Sequence, residues 1–479
     1  MKKDSKIDYL KILIFVSFCI SLIISKYYLN NYDSFFLDKN GEEGAHKMIK
    51  YDTLRYLSHG AEIKEDLTNG KNFFNTGREH FTKYLPPRII AAYYYYFDKD
   101  LFNNFDEKKI NVGIHFPYLI IQCLIYYLSL FFLYCVISKK TDKNICIPIV
   151  FFLALEPTIF QYHGTFWSES IFFSLQLITF ALILRNKYKF YDFLLIGILI
   201  SLLSLQRQTA YFFIIPLTVY YFIILNKNEY YKLFFMFLTF MMVQSFVGFN
   251  NLTREGKFYI LTGDAKSAIY YNLSHPIIMQ SQNYTLEEFR IKEAEIAINI
   301  LQTNSIKFDV KKIEDIEESS SPFSTAKRSI INPKDKVFYD NIYAKRTVEL
   351  LLDNPWLSSK IIIKNSFHSI LLNPFHIYSD HNFISSEYYY FTDTHNKLVL
   401  PRIVYTILIY SISLIGLFAL IKKKEYKLLS IIMISIIYHF GMVSWHGNTR
   451  YVVPVLIYVS FLFGYGWNNL LLLRKKINK

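Results

Sequence analysis

The feature that most constrains this chain is a recurring run of about 15 to 25 apolar residues with no polar face, as in ILIFVSFCISLII and IVYTILIYSISLIGLFALI. A helix of a water-soluble fold carries one apolar stripe and a polar back. These runs are apolar on every side, and about 20 such residues cross a hydrocarbon core. The chain of 479 residues, 52% of them hydrophobic and 18% aromatic, therefore reads as an all-α polytopic membrane protein.

Ten spans fit, at 10–29, 114–137, 145–160, 169–184, 190–206, 209–225, 231–249, 398–421, 427–444 and 451–472. The first follows Lys2, Lys3 and Lys6 but has no small-residue cleavage site, so it reads as a retained span rather than a leader. The net charge of +14 is sorted rather than spread. Lys139, Lys140 and Lys143, Arg185, Lys187 and Lys189, Lys227 and Lys232, Lys422 to Lys424, and Arg474 to Lys476 fill alternate connectors. The short connectors between them carry only Arg207 and Arg450. Basic loops stay in the cytoplasm, so the charge marks topology and no nucleic-acid partner is expected. Both termini are then cytoplasmic. The four cysteines, Cys19, Cys123, Cys135 and Cys146, lie in or beside spans with no metal or disulfide spacing.

This threading gives three parts. Residues 1–249 form an N-terminal membrane module with a long first outer loop, 30–113. Residues 250–397 form a mostly helical extracytoplasmic segment, and 398–479 return to the membrane. In the middle part, LEEFRIKEAEIAINILQ and YAKRTVELLL carry helical patterns. The acidic, Ser-rich IEDIEESSSPFSTAKRS reads as a mobile loop. The run WLSSKIIIKNSFHSILLNPF, with Lys360, Lys364 and His368, reads as an interfacial helix.

Chemistry is expected at the outer face, where both long segments and the polar hairpins meet. Asp52 and Tyr56 share a helical face in the first loop, ahead of glycine-punctuated turns and of Tyr84-Leu85-Pro86-Pro87-Arg88. A carboxylate there is suited to taking a proton from an acceptor hydroxyl. The hairpin EPTIFQYHGTFWSES carries Glu156, His163 and Glu169, and acids at membrane depth need a partner or a polar cavity. Glu169 also suits a helix N-terminus. Arg207 sits in a third hairpin, and the fourth, WHGNTRYVVP, crowds Trp445, His446, Arg450 and Tyr451 together. Guanidinium forks match phosphate oxygens, so these arginines suggest an anionic, lipid-borne ligand.

The combination resembles the GT-C class of integral-membrane glycosyltransferases, which includes protein O-mannosyltransferases and lipid A aminoarabinose transferases. Four signatures carry the likeness in order: Asp52 with Tyr56, Tyr84 with Pro86 and Pro87, Ser168 with Glu169, and Arg450-Tyr451 with Pro454. Arg207 before Pro216, and Asn354-Pro355-Trp356, are similar to two further family segments. The resemblance implies a GT-C-like bundle of about ten helices with two large outer-face segments. It implies a polyprenyl-phosphate-linked sugar donor and a lipid, glycan or protein acceptor. Asp52 and Glu169 would be catalytic. Tyr56, Tyr84, Arg88, His163, Arg207, His446, Arg450 and Tyr451 would bind substrate.

The first loop lacks the family's paired acids, which leaves the base open among Asp52, Asp33 and Asp38. No metal site is expected, since cations such as Arg207, Arg450, Arg88 and Lys83 can meet the leaving phosphate, although a divalent cation is compatible with the family. The expected location is a bacterial cytoplasmic membrane. A polymerase or ligase using a lipid-diphosphate donor, and a non-enzymatic lipid-glycan transporter, are the competing readings.

Overall fold

The computed structural model describes residues 9–30, 47–72, 84–97, 116–185, 189–255, 258–260, 270–318, 322–372, 393–446 and 452–477. Among these residues the chain is mostly helical, and its one β-feature is an isolated bridge between Phe308 and Ile330.

Helices α1 (Tyr9–Asn30), α2 (Lys47–Thr68), α3 (Leu85–Phe97), α4 (Phe116–Ile137), α5 (Lys143–Leu155), α6 (Pro157–Phe160), α7 (Glu169–Arg185), α8 (Phe190–Gln206), α9 (Ile214–Ile224) and α10 (Tyr231–Glu255) form the first half. A helical body follows: α11 (His275–Gln282), α12 (Leu286–Thr303), α13 (Ile313–Glu317), α14 (Pro322–Ser329), α15 (Pro333–Asp353) and α16 (Pro355–Ile370). Helices α17 (Asp393–Lys422), α18 (Tyr426–Val443) and α19 (Leu456–Ile477) complete the chain.

Among the described residues six helical segments are long and apolar enough to cross a membrane: Tyr9–Lys26, Phe116–Ile137, Lys227–Thr253, Leu400–Lys422, Tyr426–Val443 and Val453–Lys476. A seventh results if α5 and the turn Pro157–Gly164 count as one span bent by 40°. The expected straight span at 145–160 is thus broken. Pro157 has no amide hydrogen to continue α5, and the Glu156 carboxylate instead accepts from the Ile159 amide at 2.8 Å, starting a new helix. Helices α7 and α8 have 17 residues each. At 1.5 Å per residue they reach roughly 25 Å, short of a hydrocarbon core of about 30 Å.

Backbone contact fixes how the helices cross. A Cβ added at Gly416 of α17 would collide with the Leu462 carbonyl of α19, and one at Gly466 with the Ile412 carbonyl. Gly464 lies less tightly against the start of α5, where an added Cβ would meet the Ile149 side chain and the Ile145 carbonyl. With little hydrophobic drive between helices in lipid, close approach at small residues supplies the packing.

The bundle's two ends differ in chemistry. At one end Lys140 donates to the Leu184 carbonyl, Arg185 lies 3.6 Å from Asp192, and Lys423 sits over the Tyr465 ring. Phe190 stacks beside Tyr231 there. The basic connectors therefore gather together, as their alternation along the chain requires. The opposite end collects Glu156, Glu169, His163, His439 and Arg207.

The stretch IEDIEESSSPFSTAKRS, expected as a loop, instead contributes α13 and α14. Pro322 opens α14, and Phe323, Ala326 and Ile330 recur at helical spacing into a core with Tyr270, Tyr339 and Tyr343. Burial of that face outweighs the polar composition. The helical patterns at 286–302 and 343–352 fall within α12 and α15. Thr285 and Glu288 close a capping box at the start of α12.

Candidate functional site

The polar end is built around the hairpin between α6 and α7. Glu169 opens α7, and its Oε1 accepts from Arg207 Nη1 at 2.8 Å, with side-chain exposures of 0% and 2%. The two residues meet because α7 and α8 run antiparallel, which brings the end of α8 back to the start of α7. Gln206 fixes the same crossing by donating to the Ser168 carbonyl at 3.0 Å. Arg207 also lies over the Phe172 ring at 5.7 Å.

His163 reaches the residue next to Glu169, its Nδ1 2.8 Å from Ser170 Oγ and its ring 4.1 Å from that of Tyr126. Among the described residues its Nε2 has no hydrogen-bond partner. Gln122 of α4 donates to the carbonyls of His163 and Thr165 at 3.3 and 2.8 Å, locking the turn to the bundle. Glu156 accepts from Tyr405 of α17 and from Thr158, each at 2.7 Å. Deeper in, His439 Nε2 meets the Gln176 amide at 3.3 Å and the Tyr458 hydroxyl at 3.4 Å.

The first-loop residues pack onto this end. Helix α2 lies against α3, with Gly60 so near Ile90 that a Cβ there would stand 3.0 Å from its side chain. Gly60 therefore continues α2, whereas Gly70, at φ +79°, belongs to the turn that ends it. Tyr56, Ile90 and Tyr94 cluster with Tyr118 and Phe166. Phe166 stacks on Tyr118 at 5.4 Å and stands three residues before Glu169. Arg88 is buried, with its guanidinium 3.7 Å from the centre of the Tyr84 ring and Nη1 donating to the Tyr84 carbonyl at 3.0 Å.

The structure thus brings Glu169, Arg207 and His163 to one end and places Tyr56, Tyr84 and Arg88 in the layer beside them. Asp52 lies in α2 one turn before Tyr56, but its side chain is outside the described residues, as is that of His446. Arg450, Tyr451, Lys83, Asp33 and Asp38 are outside them as well. Among the described residues no three His, Cys, Asp or Glu side chains come together as a metal ion would require.

Several partners had only faint sequence signals. Gln122, Gln176 and His439 stand out as lone polar residues inside apolar runs. Tyr405 carries no signal in a chain with 40 tyrosines. Comparison with known protein families and with curated proteins gives no match to this sequence.

Proposed function

We propose that this protein is a membrane-embedded glycosyltransferase that moves a sugar from a polyprenyl-phosphate carrier to an acceptor at the outer membrane face. The observation that carries the reading is the gathering, at one end of the bundle, of the Glu169–Arg207 pair, His163 and the Tyr56–Arg88 layer. Glu169, Arg207 and Tyr56 are among the residues on which the likeness to GT-C transferases rests.

In this reading an acceptor hydroxyl attacks the anomeric carbon and the bond to the phosphate oxygen breaks. Polyprenyl phosphate leaves, and Asp52 takes the hydroxyl proton. The close ion pair alters one role. Because Arg207 is neutralised by Glu169, the pair orients the hairpin, and Arg88 and Arg450 supply the positive charge facing the phosphate. Tyr56 and Tyr84 line the approach, and His446 and Tyr451 stand near Arg450 in the sequence.

A second reading has its own support. The break at Glu156–Pro157 and the buried His439–Gln176–Tyr458 contacts are polar features inside the bundle, and such features also mark transport pathways. One experiment separates the two. Membrane vesicles holding the full chain are given a radiolabelled polyprenyl-phosphate sugar, and release of polyprenyl phosphate is followed alongside movement of intact lipid. Transfer predicts release that falls at least about 1,000-fold in Asp52→Asn, the scale of losing a general base. Movement of intact lipid without release would replace the transferase with a transporter.

A further inference from the structure

Helix α16 has two distinct faces. At about 100° per residue, Trp356, Lys360, Ile363, Lys364 and Phe367 fall within one narrow arc, and all five are exposed. Trp356 is 83% exposed and Phe367 68%. Leu352, at the end of α15, is exposed just ahead of them. On the opposite arc Ser358, Ile361, Asn365 and Ser369 are buried.

The buried face grips the turn that leads to Arg450. Asn365 Nδ2 donates to the Trp445 carbonyl at 2.8 Å, Ser369 Oγ to the Ser444 carbonyl at 2.9 Å, and Ser366 Oγ to Ser444 Oγ at 3.0 Å. Ile361 packs with Leu273 and Ile277, and the Trp445 ring covers them. The C-terminal end of α16 is fastened to a membrane span. Arg402 donates to the Leu371 and Leu372 carbonyls at 3.3 Å, and the Leu372 amide donates to Thr406 Oγ1 at 3.0 Å. Arg402 and Thr406 lie in the first turns of the Leu400–Lys422 span, whose own outward residues Leu400, Val404, Ile407 and Leu408 face away from the bundle.

From these contacts we infer that the exposed face of α16 docks into the headgroup layer of a bilayer rich in anionic lipid, and that its buried face passes this anchoring to the Ser444–His446 turn. Three observations select a lipid surface as the occupant. The apolar stripe runs on from a helix end tied to a span. Trp356 and Phe367 bracket the two lysines, so that rings enter the acyl boundary while ammonium groups reach lipid phosphates. The charge on this face is of one sign, opposite to that of an acidic leaflet. Anionic lipid then sets the order of the Ser444–His446 turn. The inference concerns the same site as the proposed transferase but needs no sugar chemistry, so the two can fail separately.

The test uses the full chain in nanodiscs of phosphatidylcholine, with or without phosphatidylglycerol. The fluorescence contributed by Trp356, taken as the difference between the wild type and Trp356→Phe, is quenched by brominated lipid and shielded from aqueous acrylamide if α16 docks. Amide exchange across 442–446 slows by about threefold or more when phosphatidylglycerol is added, as expected for two lysines near an acidic surface. This slowing disappears in Lys360→Glu/Lys364→Glu. In Asn365→Ala the quenching persists while the slowing is lost, which locates the coupling in the buried face. Acrylamide quenching without lipid quenching would overturn the docking. Equal exchange in the two lipids would overturn the coupling.

Discussion

In the membrane bundle, Arg207 reaches Glu169 across 38 residues of chain, joining the mouths of two helices at the polar end. In the helical body beyond it, Lys327 reaches Asp340 at 2.6 Å between neighbouring helices, with exposures of 2% and 4%. Both pairs are fully withdrawn from water, yet their settings differ. The bundle pair sits beside His163, a hairpin and the first-loop layer. The other pair sits among Phe323, Tyr339 and Tyr343, whose rings pack at 3.7 to 5.2 Å. A buried ion pair contributes little net stability, because desolvation offsets its attraction. Its position therefore says more than its strength: one pair lies at the polar end of the bundle, the other inside a core.

The largest effect that would sharpen this contrast is at the bundle pair. Glu169→Gln or Arg207→Met leaves a charge or donor buried without its partner, which costs about 3–5 kcal/mol. Unfolding of the intact chain in detergent micelles is expected to register that loss together with the loss of polyprenyl phosphate release. The exchanged variant, Glu169→Arg with Arg207→Glu, recovers much of the stability and none of the release, since the hairpin then presents its charges reversed. Recovery of both would make the bundle pair merely structural and erase the contrast.

How much of this was legible in advance follows from the range of each interaction. Helix existence was readable because apolar runs are local. The break at Glu156 was half readable: Pro157 signals it, but the Tyr405 hydroxyl that holds the carboxylate lies 249 residues away. Glu169 and Arg207 were each conspicuous as a charge beside apolar sequence, whereas their union depends on how α7 crosses α8. Helices α13 and α14 were hidden by acidic and serine-rich composition, because their anchors, Phe323 and Ala326, gain their meaning from Tyr339 and Tyr343 on another helix. An interfacial α16 was readable from Lys360, Lys364 and His368. Its grip on Ser444 and Trp445 was not, since single hydrogen bonds leave no pattern in a sequence.

A smaller effect separates the pairs from the other side. Asp340→Asn alone strands Lys327 and is expected to destabilise the helical body by about 3 kcal/mol. The double variant Lys327→Met/Asp340→Leu fills the same volume with apolar atoms and is expected to lie within about 1 kcal/mol of the wild type, or above it. Release of polyprenyl phosphate stays unchanged in the double variant. A large loss of release there, with stability intact, would mean that the helical body's pair also serves the site.

The smallest effect is a pH window confined to the helical body. Burial raises the Glu293 carboxyl from 4.5 to about 8, with the Phe323 backbone amide and Arg290 pulling partly the other way. Its Oε1 has no hydrogen-bond partner among the described residues, which suits a protonated acid. A raised folded-state value means that Glu293 contributes stability fully below about 4.5 and loses it as pH climbs to about 8. His275, whose ring stacks on Phe289 at 4.0 Å, is lowered from 6.5 to about 4 by burial and then by Arg290. Protonation therefore opposes the folded form, and stability falls as pH drops below 6.5 towards 4. The two limbs leave the body most stable between them, near mildly acidic pH, with a slope of at most roughly 1.4 kcal/mol per pH unit on either side. Amide exchange across 286–345, corrected for intrinsic rates, is expected to quicken on both sides of that window. Glu293→Gln flattens the alkaline limb alone, because an amide keeps the neutral form at every pH while His275 still titrates. The same limb persisting in Glu293→Gln would assign it to another group and leave the helical body no more sensitive to base than the bundle.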